Sequence, residues 1–183
     1  IPGSSTFKGP IYHTSRWPKN EVCLSNQTVG VIGNGSSGVQ IISELAKQAK
    51  KLIIFQRTAQ YAVPSGNCSL DSKEVELIKS DYSGFRDRNR QQSSAQLSGT
   101  KTSQRSALSV SPDDRKRLYE DNWQKGGFVF YDTFNDLMTN RQSNQTAAEF
   151  IRNKISQVVE DPKRVKLLSP HHMMGCKRPV LEN

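Results

Sequence analysis

Residues 28–40 read TVGVIGNGSSGVQ, and this stretch limits what the chain can fold into more than any other. A short apolar run, Val29, Val31 and Ile32, ends at Gly33-Asn34-Gly35-Ser36-Ser37-Gly38, and a helical pattern follows. Strand, glycine turn and helix in that order make a cradle for a pyrophosphate. Gly33 permits the tight turn. Gly35 has no Cβ, so a phosphate can approach the backbone, and Gly38 lets the new helix pack closely on the strand. The free N–H groups and positive dipole end of the helix then face the phosphates. A dinucleotide is the expected ligand, held by Gly33, Gly35, Ser36, Ser37 and Gly38.

The helix continues through Val39, Ile42, Leu45, Ala46 and Ala49, which share one face at helical spacing. Ser36 or Ser37 is its expected N-cap. Lys47, Lys50 and Lys51 fall in or just past its last turn, where cations favour the dipole. Residues 52–55, Leu-Ile-Ile-Phe, then form a second strand. Both strands read as buried on both faces, because they are nearly continuous apolar runs. The whole unit is about 30 residues long, the length of a mononucleotide-binding half.

The end of the second strand bears on which dinucleotide is bound. Folds that take NAD place an acid there, to accept from the ribose 2′-hydroxyl. This chain reads Phe55-Gln56-Arg57-Thr58, and no acid follows until Asp71. An acid would repel a 2′-phosphate, whereas the Arg57 guanidinium can grip one bidentately and the Thr58 hydroxyl can add a donor. The residues therefore favour NADP(H). The plainer reading leaves Arg57 as a surface charge after a strand.

The net charge of +9 over 183 residues fits a polyanionic cofactor. The cations are scattered, without a compact Lys/Arg block or interleaved aromatics, so a nucleic-acid partner is not expected. The three cysteines form no CxxC and read as unpaired thiols in a reducing compartment. His171 and His172 are adjacent and lack spaced partners, so no metal site is expected. No apolar run approaches the roughly 20 residues of a membrane span. No signal peptide is visible, and a cytoplasmic location is expected. The missing start methionine and the abrupt end point to a piece of a longer protein.

Residues 1–20 read as an extended or loop segment with a Gly9-Pro10 turn between buried aromatics. Helices are expected over 74–79, over 112–124 with Ser111 as N-cap and Pro112 first, and over 144–159. A helical turn is expected over 163–168. The buried stripe of the 144–159 helix is Ala147, Ala148, Ile151, Ile155 and Val158. Residues 83–111 are polar and read as loop or weak helix. Trp123, Phe128, Phe130 and Phe134 read as core. The fold class is α/β: a Rossmann-like βαβ unit carrying a mainly helical insertion. It divides into a linker (1–20), a dinucleotide-binding part (21–68), a helical subdomain (69–161) and a return segment (162–183).

Three separated stretches agree with one family. Phe7-x-Gly9-x-x-x-His13-x-x-x-Trp17-Pro18, just before the glycine turn, is similar to the fingerprint of the type I Baeyer–Villiger monooxygenases. Phe55-Gln56-Arg57-Thr58 with Val63-Pro64, and Gly175-Cys176-Lys177-Arg178-Pro179, resemble further signatures of that family. The resemblance implies a flavoprotein in which NADPH reduces FAD, and O2 then supplies one oxygen atom to a ketone, giving an ester or lactone. It implies that Arg178 stands near flavin and nicotinamide and stabilises negative charge, a role suited to a cation that does not deprotonate. Lys177 would join Arg57 and Thr58 on the 2′-phosphate, Gln40 would reach the pyrophosphate or ribose, and His13 would be a hinge or orientation residue. The family's FAD-binding glycine turn lies upstream of its fingerprint, and these 183 residues contain none. Most FAD contacts are thus expected outside this chain, in an FAD domain of the same parent. The alternatives are an N-hydroxylating or sulfur-oxidising flavin monooxygenase and a non-catalytic nucleotide-binding module.

Overall fold

The computed structural model describes residues 1–91 and 103–182. Around the glycine turn the chain forms β1 (Thr28–Ile32), α1 (Ser36–Gln48) and β2 (Lys51–Phe55). β1 and β2 pair in parallel, from Thr28 opposite Lys51 to Ile32 opposite Phe55. Parallel neighbours need a crossover, and α1 supplies it. The Gly33 N–H donates to the Phe55 carbonyl at 2.9 Å, carrying the ladder one residue into the turn.

The two strands are not buried on both faces. Ile32 is 71% exposed, Phe55 57% and Ile54 43%. β1 and β2 make a two-stranded sheet, and α1 packs against them both. One helix cannot cover two faces. For the same reason Leu45 is the buried residue of α1, and Ala46 faces solvent. Neither serine caps α1: Gly35 takes the N-cap position with no side-chain hydrogen bond, and Ser36 and Ser37 are the first helical residues.

β3 (Ala62–Pro64) follows, then α2 (Ser72–Ser80), α3 (Tyr82–Gln91), α4 (Pro112–Lys125), α5 (Arg141–Val158), α6 (Pro162–Leu168) and β4 (Val180–Glu182). β4 returns to pair in parallel with β3, Ala62 opposite Val180, and packs against α1. The return segment thus ends beside the βαβ unit.

Of the two readings of 83–111, loop or weak helix, the second holds over its first part, where α3 forms. Its polar surface is held by local bonds: the Gly84 N–H donates to Asp81 at 3.0 Å, Arg88 pairs with Asp81 at 2.9 Å, and Arg90 with Asp87 at 2.7 Å. Residues 92–102 lie outside the described part. The start of α4 is as expected, with Pro112 in its first turn and Ser111 Oγ accepting from the Asp114 N–H at 3.2 Å. α5 begins earlier than its apolar pattern, because the Asn140 side chain accepts from the N–H groups of Gln142 and Ser143.

The core lies where α4, α5 and the 3-10 turn Gly127–Asp132 meet. The Tyr119 ring sits 5.4 Å from each of Phe130, Phe134 and Phe150. Burial pushes the Tyr119 phenol up to about 12, although Thr146 bonds its hydroxyl at 2.8 Å. Phe128 stays 38% exposed, and Val158, the last residue of α5, is 83% exposed. Both therefore leave the expected core. Asp136 fastens the core's edge, accepting from Ser106 Oγ and Ser143 Oγ at 2.6 Å and from the Ala107 N–H at 3.0 Å.

The aromatics of the first segment are not buried either. Phe7 is 63% exposed, Tyr12 41% and Trp17 40%, with the Tyr12 and Trp17 rings 5.5 Å apart. Cys23, Cys68 and Cys176 are free and exposed. Among the described residues no helix is long and apolar enough to cross a membrane.

Candidate functional site

A cleft of about 500 Å³ opens at the turn between β1 and α1. Its floor is Val31, Ile32, Gly33 and Gly35, and its helical side is Ser36, Ser37, Gly38 and Ile41. Three residues from elsewhere complete it: Thr14, Gln60 and Arg178.

The turn has the geometry its glycines require. Gly33 adopts a φ of +100°, in the left-handed region that L side chains rarely enter. A Cβ on Gly38 would lie 2.4 Å from the Gly33 carbonyl oxygen, so the turn closes only around a glycine. At Gly33 and Gly35, by contrast, an added Cβ would meet nothing within 4 Å, which is the open space of the cleft. No side chain caps α1, so its first-turn N–H groups keep their hydrogen-bonding capacity and its dipole is not offset. Asn34 holds the turn in place. Its Nδ2 donates to Gln56 Oε1 at 2.9 Å and to the Thr58 carbonyl at 3.0 Å, tying the turn to the stretch after β2. Gln56 in turn donates from Nε2 to the Leu167 carbonyl at 2.7 Å, at the end of α6.

Of the expected site residues, Gly33, Gly35, Ser36, Ser37, Gly38 and Arg178 share this cleft. Gln40, Arg57, Thr58, Lys177 and His13 do not line it. Arg57 is exposed two residues past β2, with Thr58 half-buried beside it. Ala62 lies opposite Val180 on a parallel strand, so the chain enters β3, after Arg57, and β4, after Lys177 and Arg178, in the same direction. Among the described residues none of these three cations forms an ion pair within 4.0 Å. Lys177, in the bend before Arg178, does not share the cleft with it. Its charge reaches His172, whose ring meets Tyr61 edge-on at 5.1 Å. Burial first, and then Lys177, depress the His172 imidazole below its ordinary value and favour the neutral ring. His13 is exposed and sits at the start of the 3-10 turn Thr14–Arg16, its Nδ1 meeting Ser15 Oγ at 2.8 Å and accepting from the Ser15 N–H at 3.2 Å. Its successor Thr14 is the residue that reaches the cleft.

Sequence reasoning missed Asn34, Gln56, Gln60 and Thr14. Asn34 lies inside the glycine motif at a position where any residue is allowed, so its side-chain bonds leave no mark in the pattern. Thr14 follows His13 in the first signature and could have been suspected from that alone.

The Flavin-binding monooxygenase-like family profile matches residues 1–67. The chain is 42% identical to a Baeyer-Villiger monooxygenase of Pseudooceanicola batsensis, over 99% of this chain and 33% of the relative. It is 40% identical to a phenazine N-monooxygenase of Lysobacter antibioticus, over 100% of this chain and 34% of that protein. Its backbone matches cyclohexanone monooxygenase from Rhodococcus sp. Phi1 bound to NADP+ with a TM-score of 0.91 and 39% identity, covering 100% of this chain and 34% of that one. The chain therefore spans about one third of the length of these relatives. Taken with the glycine turn, the first-segment signature and the cation returned to the cleft, these matches make the chain similar to about one third of a Baeyer–Villiger monooxygenase.

Proposed function

We propose that this chain is the NADPH-binding part of an FAD-dependent monooxygenase that inserts one atom of O2 into a ketone, giving an ester or lactone. The observation that carries the reading is Arg178: a cation from the far end of the sequence lines the same cleft as the glycine turn. A pure nucleotide-binding module has no need of it. The β1–α1–β2 unit is read as Rossmann-like, with the linker at 1–20, the dinucleotide part at 21–68, the helical subdomain at 69–161 and the return segment at 162–183.

The cleft suits a dinucleotide phosphate. The space above Gly33 and Gly35 is open, the α1 N-terminus is uncapped, and Arg178 faces the same volume. In this reading the N–H groups of Ser36, Ser37 and Gly38 donate to the pyrophosphate, and Gln40 extends from the next turn toward the phosphates or ribose. Arg57 grips the 2′-phosphate with Thr58 and Lys177, which is why NADPH is preferred to NADH. His13 orients the first segment, so that Thr14 meets the cleft. These residues offer no second glycine turn, so most of the FAD contacts belong to the parent beyond this chain; FAD, when bound, supplies the electron transfer and oxygen activation. Arg178 contributes fixed positive charge where negative charge develops.

A second reading, oxidation at nitrogen, draws on the identity with the phenazine N-monooxygenase. Product analysis of the parent enzyme with NADPH, O2 and a panel of ketones and aromatic amines separates the two. Arg57→Ala in that enzyme is expected to raise the requirement for NADPH far more than that for NADH; equal losses with both would contradict the 2′-phosphate role.

A further inference from the structure

The segment between α6 and β4 carries Lys177 and Arg178 but contains no helix or strand. Its backbone polar groups must therefore find partners elsewhere. One residue of α5 meets both polar groups of a single position. Asn144, 2% exposed, accepts from the Met174 N–H on Oδ1 at 3.0 Å and donates from Nδ2 to the Met174 carbonyl at 2.8 Å. Nδ2 also donates to the Leu137 carbonyl at 2.7 Å. Two acceptors around the nitrogen and one donor at the oxygen allow one orientation of the amide. Met174 is itself 1% exposed within the hydrophobic core.

The segment is thus fixed at two points. Asn144 holds it at Met174, and the pairing of Val180 with Ala62 holds it at β4. Gly175, at a φ of +96°, turns the chain just after the first point. Arg178 lies between the two and projects into the cleft. We propose that Asn144 is a positioning residue for Arg178: it touches neither cleft nor ligand, and sets where the guanidinium stands by holding the backbone of Met174. The helical part of the chain then has a defined task, which is to anchor the returning cation. An aliphatic side chain of similar size would pack at 144, but would leave the Met174 N–H and two carbonyls buried and unpaired.

The proposal rests on the monooxygenase reading and is tested in the parent holoenzyme with Asn144→Ala, Arg178→Ala, the double variant and Ser143→Ala. Ser143 is equally buried on α5 but bonds Asp136 rather than the return segment, so it reports general loosening of the helix. Asn144→Ala is expected to speed amide hydrogen exchange over 174–178 and to lower product formed per NADPH consumed by roughly 10²-fold, the scale of a misplacement of about 1 Å. Ser143→Ala is expected to lower the melting temperature and leave both readouts unchanged. The double variant is expected to yield no less product than Arg178→Ala alone, because a lost positioning contact has nothing further to misplace. Unchanged exchange over 174–178, or additive losses in the double variant, would overturn the proposal. Should Asn144→Ala not fold, Asn144→Asp keeps the acceptor for Met174 and is expected to give an intermediate exchange rate. Full product yield from Arg178→Ala would sink the underlying reading, a result seen without any change at position 144.

Discussion

A methyl group at position 38 has no room, and one at position 35 has ample room. That contrast separates folding from binding. Gly38→Ala must push its Cβ away from the Gly33 carbonyl, 2.4 Å distant, with backbone on both sides. It is expected to destabilise the βαβ unit by about 1–3 kcal/mol and to weaken NADP+ binding. Gly35 has a φ of −73° and open space before it, so Gly35→Ala is expected to keep the melting temperature and still reduce NADP+ affinity, because the methyl occupies the approach to the backbone. Melting curves with and without NADP+ measure both. Asp136 gives a pH prediction at the same scale. Burial acts to raise its carboxyl, but Ser106, Ser143 and the Ala107 N–H outweigh this and hold it below the ordinary 3.8. A depressed carboxylate contributes stability above its unfolded value, and the contribution is lost as pH falls through the folded value. Acid unfolding should therefore steepen below about pH 4, and Asp136→Asn should flatten that limb of a urea-midpoint profile against pH. At this scale residue type disclosed the glycines, whereas Arg178 was marked by the family resemblance. The sequence concealed Asn34, Gln56 and Asn144, because a side-chain amide is informative only once its partners are known.

The elements were legible in proportion to their length and their covering. The β1–α1–β2 unit, the capped start of α4 and most of α5 follow from periodicity and capping residues. β3 and β4 did not, since three residues each are too few to show a period and their pairing depends on the return of a distant segment. α3 was left between loop and weak helix because it buries nothing and rests on ion pairs. Within α5, helical spacing put Ile151 and Val158 on one stripe, but their exposures are 0% and 83%. Spacing defines a face, and only neighbouring elements decide how far along the helix that face is covered. Ile151→Ala is expected to cost about 2–5 kcal/mol in urea unfolding. Val158→Ala is expected to stay within about 0.5 kcal/mol.

Across the whole molecule two regions differ in how well they are covered. The aromatic core around Tyr119 is closed, whereas the β1–β2 sheet presents Ile32, Ile54 and Phe55 to solvent. Exposed apolar strands at a sheet edge invite association. The 183-residue chain produced by itself is expected to self-associate with rising concentration, seen as increasing light scattering, and Ile54→Lys is expected to reduce it.

The parallel return of β4 to β3 also has a consequence in time. A ribosome finishes the glycine turn and α1 long before it emits Arg178, so on the proposed reading a nascent chain carries the phosphate cradle before the cation that would share its ligand, and the cleft is complete only once the segment before β4 has been made.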